Sequence, residues 1–111
     1  MPPRLQEPTF LILAALAERP LHGYALLARV TELSDGRVHL RAGTLYAALD
    51  RLVREGLVRE DREEIVEGRL RRYYLLTEDG HHALALEARR WQANVDVAAR
   101  VLTARPVEGL A

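Results

Sequence analysis

The chain has no cysteine and no lysine, a single serine, and one residue each of Met, Phe and Trp. Without cysteine there is no disulfide, no zinc–thiolate site and no thiol nucleophile. Ser34 is the one serine, no glycine-rich phosphate loop is present, and no pair of carboxylates is framed by apolar residues. Nothing there points to catalysis, so an enzyme is not expected. His81 and His82 are adjacent, so on a helix they diverge by about 100° and do not chelate. His22 and His39 have no nearby ligand set, so no metal or cofactor is expected. Long apolar runs are also missing. The longest, Phe10 to Ala17, has eight residues, whereas a membrane span needs about 20. Arg4 before it imitates a signal peptide, but Glu7 and Pro8 interrupt the basic region and Glu18-Arg19-Pro20 is a poor cleavage site. A buried helix, a cytoplasmic protein and no membrane partner are expected. Net charge is absent too: 16 Arg face 16 Asp and Glu. That excludes a polybasic tail but not a local basic face. Arg suits bidentate phosphate and guanine contacts better than Lys.

What is present is a globular composition, 49% apolar and 29% charged over 111 residues, the size of one domain. Thr9 is positioned to cap a first helix over 10–18 that Pro20 stops. Leu11, Ile12, Leu13 and Leu16 make that helix apolar on nearly every side, so a partner chain is one candidate for its second side. Leu26, Val30 and Leu33 predict a second helix over 22–33, ended by Ser34-Asp35-Gly36. Val38 to Leu40 reads as a short extended piece. Gly43 or Thr44 opens a third helix over 44–55, with Leu45, Leu49 and Leu52 inward and Gly56 as a left-handed cap. A strand over 57–62, a charged loop over 63–68 and a return strand over 70–76 follow. Thr77 caps a last helix that runs to about 102, with Glu78 and Asp79 at its positive end.

This order predicts a mainly α fold with a small β-hairpin: a winged helix-turn-helix plus a long C-terminal dimerisation helix. The expected division is a flexible arm (1–8), a DNA-binding domain (9–76), the dimerisation helix (77–103) and a frayed tail (104–111).

Leu84, Ala88, Trp91, Val95, Ala98 and Leu102 are spaced 4, 3, 4, 3, 4. That is a heptad seam, and its cheapest partner is a second copy of the chain. The alternative is that the seam folds back on its own domain. Leu11 joins the seam as an expected interface residue, and Glu87, Arg89, Arg90, Asp96 and Arg100 read as solvated charges. Trp91 sits mid-seam, either as interface packing or as one of two indoles that stack a flat aromatic ligand. The third helix offers Thr44, Tyr46, Ala47, Asp50, Arg51 and Arg54 outward, either an idle polar face or a face that reads DNA. On the hairpin, Arg69 and Arg71 can reach phosphates or a minor groove. Five acids (Glu60, Asp61, Glu63, Glu64, Glu67) crowd the same segment. Either the tip points away from DNA, or its acids pair with neighbouring Arg.

His22-Gly23-Tyr24, Gly43-Thr44-Leu45-Tyr46, Glu55-Gly56-Leu57 and Tyr73-Tyr74-Leu75-Leu76-Thr77 stand in the order and spacing of the PadR-type transcriptional regulators. The chain resembles that family over about residues 9–103, and its one C-terminal helix resembles the small subclass. The resemblance implies a winged-helix DNA-binding domain with a dimerising last helix. It also implies repression of a neighbouring gene and release by a small, often aromatic, ligand or a stress signal. It places DNA contact at Thr44 and Tyr46, wing contact at Arg69 and Arg71, and a ligand-lining tryptophan at Trp91. The polar face adds Arg51 and Arg54. The expected partners are a palindromic double-stranded operator, with half-sites about 10 bp apart, a second copy of the chain and a small aromatic effector. Two alternatives are a winged-helix protein–protein module, favoured by the acidic hairpin, and a small-molecule sensor that has lost DNA binding.

Overall fold

Eight successive residues too apolar to face water drive α1 (Glu7–Glu18) to the centre of the molecule. The computed structural model describes residues 4–105. Pro8 in the first turn pre-sets the helix, which starts at Glu7 with Gln6 as N-cap. Thr9 therefore does not cap it. Thr9 lies inside the helix, buried, and its hydroxyl accepts from Arg51 Nη2 at 3.0 Å. The second side of α1 lies against this chain's own last helix and sheet.

After Pro20 a two-residue strand, β1 (Leu21–His22), leads directly into α2 (Gly23–Leu33). Leu26 and Val30 are fully buried on its inner face. Ser34 ends α2. Its buried hydroxyl donates to the Thr31 carbonyl at 3.1 Å and accepts from the Val38 N–H at 3.0 Å. With that N–H satisfied and no strand alongside, residues 38–40 form no strand. The extra strand is β1 instead, because it lies against the hairpin.

Helix α3 (Ala42–Arg54) opens two residues before Thr44, with Arg41 as N-cap. It buries Leu45, Leu49 and Leu52 completely. Gly56 at φ 77° ends it. The Gly56 N–H bonds to the Val53 carbonyl and the Leu57 N–H to the Leu52 carbonyl, both at 3.0 Å, the double bond that a left-handed cap makes.

Strands β2 (Val58–Val66) and β3 (Arg69–Leu76) form an antiparallel hairpin, and the sheet order is β1-β3-β2. The charged loop expected over 63–68 is only the two-residue turn Glu67-Gly68, with φ of 52° and 77°. Two positive φ values match the twist of the flanking strands. One extra residue at Asp61–Arg62 bulges β2 between the pairs Glu60–Tyr74 and Glu63–Arg72.

Thr77 caps α4 (Glu78–Thr103), accepting from the Gly80 N–H at 3.0 Å. A Cβ at Gly80 would collide with the Leu57 carbonyl and Leu76, so the helix docks there backbone to backbone. Glu87 is not a solvated charge. It is 1% exposed and accepts from Arg4 Nε at 2.9 Å and the Leu5 N–H at 3.1 Å. The arm expected to be loose is thus tied to α4 over its described part, Arg4 to Gln6. Residues 1–3 and 106–111 of the expected arm and tail lie outside the described residues.

Past Trp91 the helix leaves the domain, and every residue from Gln92 to Thr103 is exposed. This projection stretches the molecule to 66 × 30 × 21 Å. Among the described residues no helix is long and apolar enough to cross a membrane.

Candidate nucleic-acid interface

Helix α3 presents one face to the core and the other to solvent. Thr44, Tyr46, Ala47, Asp50, Arg51 and Arg54 are all exposed. No side chain caps the N-terminus of α3, and a Cβ at Gly43 would meet nothing within 4 Å. Its first N–H groups are therefore open to an acceptor from outside, the arrangement that suits phosphate. The six outward residues do not play equal parts. Arg51 donates to Thr9 and lies 3.7 Å from Glu55, tying α3 to α1. Arg54 has no ion pair among the described residues. Tyr46 packs its hydroxyl over the bare backbone of Gly23 while staying 43% exposed. That contact joins the start of α3 to the start of α2, and it needs glycine at position 23.

The hairpin resolves the two readings of its acids in favour of pairing. Arg72 lies between Glu60 at 3.6 Å and Glu63 at 3.2 Å. Arg62 meets Asp61 at 3.4 Å and Glu64 at 4.0 Å, and its guanidinium stacks 3.9 Å above the Tyr73 ring. The Tyr73 hydroxyl donates to Glu64 at 2.8 Å, and that bond raises its pKa. Exposed pairs such as these contribute little stability. Their effect is local: four of the five acids are engaged inside the hairpin, while Arg69 and Arg71 have no carboxylate within ion-pair distance among the described residues. Ile65 and Leu70, opposite one another near the tip, are exposed at 75% and 59%.

Between α2, α3 and β3 lies a cleft lined by His22, Gly23, Tyr24, Tyr46, Glu67, Arg69 and Arg71 among others. His22, which has no metal partners nearby in the sequence, is the N-cap of α2, its Nδ1 accepting from the Ala25 N–H at 3.3 Å. Its ring sits edge-on to Tyr73. Burial first, then the neighbouring Arg71, lowers its pKa, against an opposing pull from Glu64.

The expected dimer seam divides. Leu11 is 7% exposed, spent on its own core. Leu84 packs partly buried against that core. Trp91 stacks on Phe10 with ring centroids 4.3 Å apart, and it helps to lower the Glu87 pKa. One face of the indole is thus already covered within the chain. Ala88, Val95, Ala98 and Leu102 are exposed. Val97 and Val101, outside the expected seam, are exposed at 46% and 63% and widen the apolar face.

Comparison with known proteins gives a consistent result. Residues 12–86 match the family described as Transcriptional regulator PadR-like family. The chain is 42% identical over 85 residues to an uncharacterized 37.1 kDa protein in transposon TN4556 of Streptomyces fradiae. That stretch is 77% of this chain but only 23% of the curated relative's length. Among solved structures, a PadR family transcription regulator from hypervirulent Clostridium difficile R20291 gives a TM-score of 0.74 at 26% identity, over 87% of this chain and 99% of that one. A PadR family transcriptional regulator from Eggerthella lenta DSM 2243 gives 0.68 at 26% identity, over 89% and 87%.

Proposed function

This chain belongs to the PadR-like family of transcriptional regulators, and from that premise we propose that it is a homodimeric, sequence-specific DNA-binding regulator. The observation that carries the reading is the outward face of α3, with an uncapped N-terminus and a hairpin four of whose five acids are engaged by their neighbours. In this reading α3 enters the major groove, Thr44, Tyr46 and Arg54 face base edges and phosphates, and Arg69 and Arg71 follow the backbone. Arg51 contributes by a second route, because its guanidinium also holds α3 against Thr9. The paired acids weaken the case for a protein–protein module, since they were its main support.

Dimerisation rests on the projecting part of α4. Val95, Ala98, Val101 and Leu102 are exposed among the described residues, and exposed apolar stripes of this kind mark interfaces. Two copies joined there place two α3 helices on one side of a palindromic site. Repression of a neighbouring gene, and release by a small aromatic ligand or stress signal near Trp91, belong to the same proposal. They are supported by the family resemblance and by the half-buried indole at the base of the projection.

Fluorescence anisotropy of the pure protein on the DNA upstream of its own gene tests this, with a shuffled duplex as control. Affinity tighter than roughly 10⁻⁷ M that weakens with salt, and is lost on shuffling, is the expected outcome. Equal binding to both duplexes, or a flat salt response, overturns it.

A further inference from the structure

Resting on the DNA-binding reading above, we propose that the cleft between the start of α2 and β3 seats one DNA backbone phosphate, held jointly by His22 Nε2–H and the Arg71 guanidinium. The Ala25 N–H lies in the first turn of α2, where a helix supplies no acceptor of its own, and the backbone fixes its direction. His22 Nδ1 takes that bond at 3.3 Å. A neutral imidazole that accepts at one nitrogen carries its proton on the other. Burial, then the neighbouring Arg71, lowers the pKa of His22 and so favours the neutral ring, whose proton sits on Nε2 when Nδ1 accepts.

Nε2 lies 3.4 Å from Arg71 Nη1. Both atoms are then donors, and two donors facing each other make no hydrogen bond. Glu64, opposite Arg71 in the ladder, is occupied by the Tyr73 hydroxyl and by Arg62. Two donors therefore converge on an open cleft, with no acceptor for either among the described residues. An anionic oxygen placed there satisfies both. Of the charged residues lining the cleft, Glu67 is the one acid against Arg69, Arg71 and Arg72, and Arg72 is neutralised by Glu60 and Glu63. Tyr46 belongs both to this cleft and to the outward face of α3. A phosphate bound here is thus continuous with a duplex read by α3, which selects a nucleic-acid phosphate over a free anion.

The test uses His22→Ser and Arg71→Ala. Serine retains an N-cap acceptor for α2 but is too short to reach the cleft. Melting curves of both variants confirm folding. Affinity is measured on the upstream duplex and on a series in which one phosphate at a time is a neutral methylphosphonate. Each variant is expected to bind about tenfold more weakly. The double variant is expected to be little worse than either single one, because both act on one group. One methylphosphonate position should penalise wild type and neither variant. Wild-type affinity in both variants, or additive losses that map to different phosphates, overturns the shared seat while leaving the regulator reading intact. A wild type with no preference for the upstream duplex overturns both. Inorganic phosphate that raises the melting temperature of wild type alone, with DNA binding equal in all variants, assigns the cleft to free anions and overturns the DNA seat.

Discussion

The two parts of α4 share a helix, a heptad spacing and an apolar stripe, yet they live in different environments. From Glu78 to Trp91 the helix is fastened to its own domain. Gly80 lies against the Leu57 carbonyl, Leu84 packs on the core, Glu87 takes the Arg4 guanidinium, and Trp91 stacks on Phe10. From Gln92 onward the same spacing brings Val95, Ala98 and Leu102 into water. Periodicity states which residues share a face. It does not state whether the surface opposite that face belongs to the same molecule. The first part buries residues because α1 and the described part of the arm lie beside it, whereas every residue from Gln92 to Thr103 is exposed.

Charge placed on the projecting stripe separates the two parts of α4 most strongly. The double substitution Val101→Asp with Leu102→Asp is expected to weaken self-association by about a hundredfold or more, because a desolvated carboxylate without a partner is costly. Sedimentation velocity over a range of concentrations reads it directly, and far-UV circular dichroism should show an intact domain. A wild type that sediments as a monomer throughout removes the proposed interface.

Next in size is the fastened part. Gly80→Ala forces the α4 backbone away from Leu57 and Leu76, an overpacking cost of about 1–3 kcal/mol. A fall in melting temperature of roughly 5–20 °C is expected for a domain of this size. An unchanged melting curve would mean that the docking of α4 is looser than the contact implies.

The smallest expected effect is a pH response confined to the fastened part. The Arg4 hydrogen bond, with help from the Leu5 N–H and Trp91, holds the Glu87 carboxyl down at about 2 from its ordinary 4.5, against the opposing effect of burial. Between those values the unfolded chain binds the proton and the folded chain does not. Stability from Glu87 is therefore fully present above 4.5 and lost as pH falls toward about 2. Urea midpoints measured across that window should drop more steeply in wild type than in Glu87→Gln. Parallel curves would show that Glu87 is not responsible.

Much of the fold was legible. Leu45, Leu49 and Leu52 marked the buried face of α3, Gly56 its end, and Thr77 the cap of α4, because local spacing and backbone demands fix those features. The errors fall where a distant residue decided the outcome. Thr9 looked like a cap, since a threonine before an apolar run has that chemistry, but Pro8 let the helix start earlier and Arg51 claimed the hydroxyl. Glu87 looked like a surface charge, yet it lies three residues after Leu84 and four before Trp91, on the same face. That spacing was the available signal. His22 carried no local signal for a role in the cleft, because its neighbour Arg71 is 49 residues away.

By itself the sequence determined the helices, the hairpin, the outward face of α3 and the family to which they belong. These depend on periodicity, caps and turn residues, which act within a few positions along the chain. Only the tertiary structure decided which charges were free. The chain carries equal numbers of Arg and acids, and composition cannot say which cation meets which carboxylate. The hairpin ladder set Arg72 between two glutamates and occupied Glu64 with Tyr73, which left Arg69 and Arg71 without an ion pair among the described residues. Coulomb attraction falls with distance and is screened by water, so the pairing was settled by which side chains folding brought within a few ångströms.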